Sequence, residues 1–297
     1  SELLQTQILD ALALLLHRAG GKADKAVITG NTVMLTLLGA FMFLPMLYVV
    51  LQSLKPLDEL FRFPPTIFPR NWVTTNFTDL LVLMNDSWVP FTRYFFNTIF
   101  ITAAGTVGQI ICCSLCAFAL ALHRFPGNRF FTKLIELALM FNGAVLWIPS
   151  YMIMSGIGFI DTQWALIVPV FASAMGLHLI RSFMTQIPMA VVEAAQVDGA
   201  NHLRVFWSII MPNIKSAWLT LMIFAVQGLW NMGASIYIQS ENLKTIAYAL
   251  QQIISVGIAR AGVGNAVTVV MMAVPIVMFV ISQSNIIETM ATSGMKD

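Results

Sequence analysis

Gln227, Trp230 and Asn231 lie in one apolar stretch at i, i+3 and i+4, so a helix places them on one face. An aromatic ring between two carboxamides can stack on the C–H faces of a polyhydroxylated solute and pair with its hydroxyls. Trp147 and Tyr151, at i and i+4 around Pro149, offer similar chemistry in another apolar stretch, and Asn142, Gln109 and Tyr237 add polar groups elsewhere. An unsatisfied polar group in hydrocarbon costs several kcal/mol. Each of these residues must therefore face a wet cavity or bond another helix. We expect Gln227, Trp230, Asn231, Trp147 and Tyr151 to face a cavity and Gln109 to be a structural contact, with Asn142 open between the two.

Nothing in the chain forms a catalytic or metal-binding constellation. Cys112, Cys113 and Cys116 cluster in an apolar run with no His or acidic neighbour in sequence, so we read them as small packing residues. Gly105-Thr106-Val107-Gly108 is not a phosphate loop, because no Lys follows it and it sits inside an apolar stretch. Glu136 is expected near a membrane boundary, paired with Lys133 one turn away, and His178 beside Arg181 reads as an interfacial residue rather than a ligand.

The elements that position these residues are set by an apolar composition. Of 297 residues, 58% are hydrophobic and 10% charged, against about 25% charged in soluble domains, and the mean hydropathy is +0.79. Lipid must solvate much of this chain, and a net charge of +2 gives no reason to expect nucleic acid. Six stretches have about the 20 residues a membrane span needs: 31–53, 94–122, 134–154, 163–180, 217–238 and 263–282. With both termini in the cytoplasm, ten of the sixteen Lys and Arg fall inside, and the short basic turn from His123 to Arg129 is cytoplasmic. Residues 1–30 hold an apolar run, Ile8–Leu16, too short to span and without a small-residue cleavage site. We therefore expect a cytoplasmic or interfacial segment there, and one membrane domain over 31–297. In the outer segment, 54–93, five prolines oppose a single long helix. Its Phe61, Phe63, Phe68, Trp72 and Phe77 fit either a partner protein or an interfacial aromatic belt.

The longest polar interruption is cytoplasmic, 181–216. Pro188 opens a short helix through Glu193-Ala194-Ala195, since Ala is the best helix former. Asp198-Gly199-Ala200 ends it at a glycine suited to positive φ. Asn201 can cap a second short helix, which Pro212 interrupts. Two short helices around a glycine turn, with small side chains on the first, make a rigid knob that another protein can approach closely.

The block Glu193-Ala194-Ala195, three residues, Gly199, nine residues, then Ile209-x-Met211-Pro212 resembles the coupling loop of ABC importer permeases. The resemblance runs from about residue 31 to the C-terminus. Asn97-Thr98, Ile148-Pro149-Ser150-Tyr151, Asp161-Thr162-Gln163-Trp164-Ala165-Leu166-Ile167-Val168-Pro169 and Gln227-Gly228-Leu229-Trp230-Asn231 are similar to segments of the carbohydrate class, the maltose-type inner-membrane subunits, closest to those serving oligomeric saccharides. Met211 departs from a usual Leu, and Met232 from a frequent acidic residue.

This resemblance implies an all-α type I permease with six spans, both termini inside, and a two-helix coupling loop. It implies ATPase coupling through Glu193, Ala194, Ala195, Asp198, Gly199, Ala200 and Pro212, and a sugar path along Asn142, Trp147, Tyr151, Gln227, Trp230 and Asn231. It implies as partners a second permease subunit, two ATP-binding cassette subunits that hold ATP and Mg2+, and an extracytoplasmic solute-binding protein, all at a bacterial inner membrane. No cofactor is expected on this chain. Two rival readings are weaker. An ion-coupled carrier needs ionisable residues at the membrane centre, and an intramembrane enzyme needs a catalytic set; neither is visible in the sequence. A permease for a non-sugar solute shares the coupling loop.

Overall fold

Prolines and glycines decide where this chain stops being helix. The computed structural model describes residues 25–85, 89–123, 125–141, 143–233, 235–255, 257 and 260–293, and among these it contains helices and no strand. In order they are α1 (Lys25–Ser53), α2 (Leu57–Leu60), α3 (Thr75–Asn85), α4 (Phe91–Leu122), α5 (Asn128–Ala138), α6 (Gly143–Ile157), α7 (Trp164–Phe171), α8 (Ala174–Met184), α9 (Met189–Val197) and α10 (His202–Val205). A π-turn (Phe206–Ile210), α11 (Met211–Asn213), α12 (Lys215–Trp230), a 3-10 turn (Glu241–Leu243), α13 (Ile246–Ser255) and α14 (Ala261–Ser293) complete the chain. The expectations for residues 1–24 and for Asn142 lie outside the described residues.

Among the described residues, four apolar helical stretches are long enough to cross a membrane: Gly30–Ser53, Thr92–Leu122, Trp164–Met184 and Ala261–Ile281. A fifth arises if His202–Asn213 and Lys215–Trp230, which meet at 79°, count as one broken span. The continuous third span expected over 134–154 is not one helix. Arg129, Lys133 and Glu136 give α5 a polar face opposite Phe130, Phe131, Leu134 and Ile135. An amphipathic helix of this kind lies along an interface rather than across it. The apolar remainder forms α6, and Leu146–Ile157 is shorter than a span. Glu136 and Lys133 are both exposed on α5 and no ion pair joins them, contrary to the expected pairing.

The described residues fall into two units, 25–78 with 260–269, and 79–257 with 270–293. In the second, α4 is the central element. Gly105 and Gly108 bring its backbone against its neighbours: a Cβ on Gly105 would meet Leu229 Cδ1 at 2.6 Å, and one on Gly108 the Phe171 ring at 2.1 Å. The pair that superficially resembled a phosphate loop is therefore a packing surface. One core cluster joins Ile101, Leu166, Ile167, Leu229 and Ile238. Another joins Cys113, Ala117 and Phe118 of α4 to Ile180 and Met184 of α8, and to Val192, Val205, Phe206, Ile210 and Ile214 of the segment from α9 to α12. Cys113 sits against the carbonyls of Phe171 and Ser173 at 3.8 and 3.7 Å, as a packing thiol would.

Candidate functional site

The glycine turn is where the chain becomes a knob. α9 begins after Pro188 and ends at Asp198, whose N–H reaches the Ala194 carbonyl at 3.0 Å. Gly199 takes φ +82 and donates to Gln196, and Ala200 donates back to Ala195 at 2.9 Å. A left-handed residue here costs Gly little and most L residues about 1–2 kcal/mol. Asn201 then starts α10, its Oδ1 accepting the Arg204 N–H at 2.8 Å. The helix runs on past Pro212, because the π-turn before it absorbs the missing amide. The break falls at Ile214 instead, and the freed Met211 carbonyl accepts the Trp218 indole N–H at 3.1 Å.

The knob has an inner and an outer side. Val192, Val205, Phe206 and Ile210 are buried in the core, and Phe206 meets the Phe118 ring edge-on at 5.4 Å. Glu193, Ala194, Asp198 and Gly199 face outward, with Ala195 and Ala200 half-buried beneath them. Val197 beside the turn is 86% exposed. Among the described residues, and apart from its two chain neighbours, nothing lies within 4 Å of a Cβ built on Gly199. The tip is thus Ala194, Val197 and Gly199 flanked by the Glu193 and Asp198 carboxylates, while its base is packed against α4 and α8.

The polar membrane residues divide. Trp147 is exposed on α6, and the Tyr151 ring stacks on Tyr237 at 6.1 Å. Gln227 and Asn231 are exposed near the end of α12, where the Asn231 amide donates to the Gln227 carbonyl at 2.9 Å and closes the helix. Trp230 does not share that face. It is 3% exposed, its indole N–H donates to the Met271 carbonyl at 3.0 Å, and Phe95 meets it edge-on. One turn-and-a-bit of helix separates these residues, but the indole is long enough to rotate into the neighbouring helix and find an acceptor there. The expectation for Gln109 also changes. It is buried, its Oε1 has no hydrogen-bond partner, and it lines a cavity of about 340 Å3 with Ser173, Met175, Phe224, Gly228 and Met232. His178 is half-buried, and no three of His, Cys, Asp and Glu converge among the described residues.

Asp161, Asn97 and Thr98, quoted above only as part of the family likeness, form a clasp on residues 237–246. Asp161, at φ +60, accepts the N–H groups of Gln239 and Ser240 at 3.0 and 2.7 Å and the Ser240 hydroxyl, while its own N–H donates to Tyr237. The Ser240 hydroxyl and then the Ser240 amide hold its carboxyl below the usual carboxylate range against desolvation, with a smaller contribution from the Gln239 amide. Buried Asn97 donates to the carbonyls of Asn242 and Lys244 and accepts from Gln163 at 2.8 Å. Thr98 accepts the Ile246 N–H. Residues 237–246 are therefore pinned by the very Asn-Thr and Asp-Thr-Gln motifs quoted above. Their signal in the sequence was polar type at a helix start and in a turn; the partner loop, some 80 to 150 residues away, left none.

Residues 110–290 match the model of the binding-protein-dependent transport system inner membrane component family. The chain belongs to that family. It is 30% identical over 234 residues to LplC of Bacillus subtilis, covering 78% of this chain and 77% of that one. It is 29% identical over 217 residues to the sn-glycerol-3-phosphate transport system permease UgpE of Agrobacterium fabrum, covering 71% and 76%. Its fold matches a bacterial ABC transporter involved in the import of the acidic polysaccharide alginate, with a TM-score of 0.75 at 22% identity over 89% of this chain and 98% of that one. This permease is an inner-membrane transport component, and its all-helical fold is that of type I ABC permeases.

Proposed function

We propose that this permease forms half of the translocation path for a saccharide delivered by an extracytoplasmic binding protein. It pairs with a second permease, and the knob of α9, Gly199 and α10 docks on an ATP-binding cassette subunit, two of which hold the ATP and Mg2+. The observation that carries this reading is the knob's two-sidedness: an exposed turn at Gly199, on a base packed into the core.

A partner that grips the tip moves the base as one body. Val192, Val205, Phe206 and Ile210 pass that displacement to α4 and α8, because a close-packed core transmits strain rather than absorbing it. The 79° bend at Ile214 turns it into motion of α12, whose 16 residues span about 24 Å. Gln227 and Asn231 ride at the far end. In this reading they line the path with Trp147 and Tyr151, while Trp230 positions α12 against α14.

Six spans with both termini inside accord with the Lys and Arg distribution. The saccharide assignment draws on the carbohydrate-class motifs and on the polysaccharide carried by the alginate transporter. The kinship with a glycerol phosphate permease favours a second reading, a phosphorylated polyol. ATP hydrolysis by the reconstituted complex, with a panel of binding proteins loaded with saccharides or with glycerol 3-phosphate, tests the proposal. Stimulation by one loaded sugar-binding protein supports it. Stimulation by the glycerol phosphate protein alone moves the substrate class, and uptake that follows an ion gradient without any ATPase overturns it.

A further inference from the structure

The segment after the first long helix is built inside out. Lys55, 1% exposed, donates through Nζ to the Thr66 carbonyl. Glu59, 6% exposed, accepts the N–H groups of Arg70 and Asn71 at 2.7 and 3.3 Å and the Thr66 hydroxyl at 3.3 Å. The Arg70 amide contributes most to holding the Glu59 carboxyl below its ordinary range, against partial desolvation. Charge and hydrogen-bonding capacity are thus spent inside a loop of about 20 residues. Its exterior is the opposite: Phe61, Phe63, Ile67, Phe68 and Trp72 are 56%, 91%, 63%, 66% and 64% exposed.

A loop facing water would place these two sets the other way round. Two classes of neighbour suit an apolar exterior, a lipid surface and a protein. The tether decides between them. The Val73 N–H donates to the Leu54 carbonyl at 3.0 Å, and the Asn76 amide donates to the carbonyls of Ser53 and Lys55, both at 2.8 Å. Both ends of the loop are therefore clamped to the last residues of Gly30–Ser53, an apolar membrane-length helix. Where that helix leaves hydrocarbon, the loop begins, so its aromatic exterior is continuous with the helix's lipid-exposed surface. Trp and Phe with adjacent exposed arginines, Arg62 and Arg70, match the headgroup layer, where an aromatic body is apolar and a guanidinium finds phosphate.

We infer that the 54–73 loop is a membrane-interface foot: it lies in the headgroup layer of the leaflet where the first span ends, with Phe63, Phe68 and Trp72 inserted, and its buried Lys55–Thr66–Glu59 core keeps it rigid. This is independent of which solute is carried and of which side the loop occupies.

The test uses the whole transporter complex in phosphatidylcholine vesicles. The chain has seven tryptophans, so Trp72 is read as the difference between wild type and Trp72→Phe. Acyl chains brominated near the headgroup should quench that difference signal at least twofold. Chains brominated near the bilayer centre should quench it less. A Glu59→Gln variant, which loosens the loop without removing an inserted ring, should weaken the shallow quenching. A difference signal that no brominated lipid quenches overturns the proposal. If that same signal shifts only when loaded binding protein is added, the exterior is a protein-docking surface instead.

Discussion

Replacing Gly199 by Asp separates folding from coupling more cleanly than any other change. Within the chain it is mild: among the described residues nothing beyond the chain neighbours lies within 4 Å of the new Cβ, so the intrinsic cost is that of φ +82, about 1–2 kcal/mol for an L residue and less for Asp, which tolerates left-handed backbone. That is small beside the roughly 5–15 kcal/mol of a folded domain, so the subunit should reach the membrane in normal amount. For a docked partner it is severe. A side chain pushed into a close interface costs about 1–3 kcal/mol in overpacking, and an uncompensated buried carboxylate adds several more. At about 1.4 kcal/mol per tenfold, affinity for the ATPase should fall by a factor on the order of 10^2–10^4. The assay is co-purification of the ATPase subunits from solubilised membranes, with uptake and stimulated ATP hydrolysis on the same preparations. Gly199→Ala, which adds the Cβ without the charge, should lose on the order of tenfold. Normal uptake and stoichiometric ATPase in the Asp variant would refute the docking assignment. An Ala variant missing from the membrane would show that the strain argument undervalued the turn.

Phe206→Ala removes the base of the knob rather than its tip; about 3–5 kcal/mol of core stability should go with it, seen as a lower melting temperature together with loss of stimulated ATP hydrolysis. Trp230→Ala should likewise destabilise by about 3–5 kcal/mol. Trp230→Phe, which keeps a ring but orphans the Met271 carbonyl, should cost about 1–3 kcal/mol with the solute profile unchanged; an altered profile at full stability would return Trp230 to the path. Asp161→Asn should speed amide exchange at Gln239 and Ser240, because the acceptor loses its charge. With the folded-state carboxyl held below its unfolded value near 3.9, the clasp's contribution is present at neutral pH and is lost as pH falls through the lowered value. The protection factors of those amides, which remove the intrinsic pH dependence of exchange, should therefore hold at pH 5 and drop only below about pH 4; a drop at pH 5 would contradict the carboxylate's role.

The apolar composition and the glycine turn after Glu193-Ala194-Ala195 were legible in the sequence, because they depend on residue type and on neighbours a few residues away. Gly199 must be left-handed to end one helix and begin the next, and Asn201 caps the second whatever surrounds it. The Lys133–Glu136 spacing suggested an ion pair, but the two exposed side chains stay apart. Tertiary structure decided the direction of long side chains and the partners of polar ones. Gln227, Trp230 and Asn231 do share a stretch of helix, yet the indole turns away to Met271, 41 residues on, and leaves the two amides exposed. Asp161 and Asn97 gained their meaning from a loop far along the chain, and Lys55 and Glu59 from a fold that turns their segment inside out. Periodicity fixes which residues can share a face. Which face meets a helix, water or lipid depends on packing across the whole chain, where burying a polar group without a partner costs more than any local preference can supply.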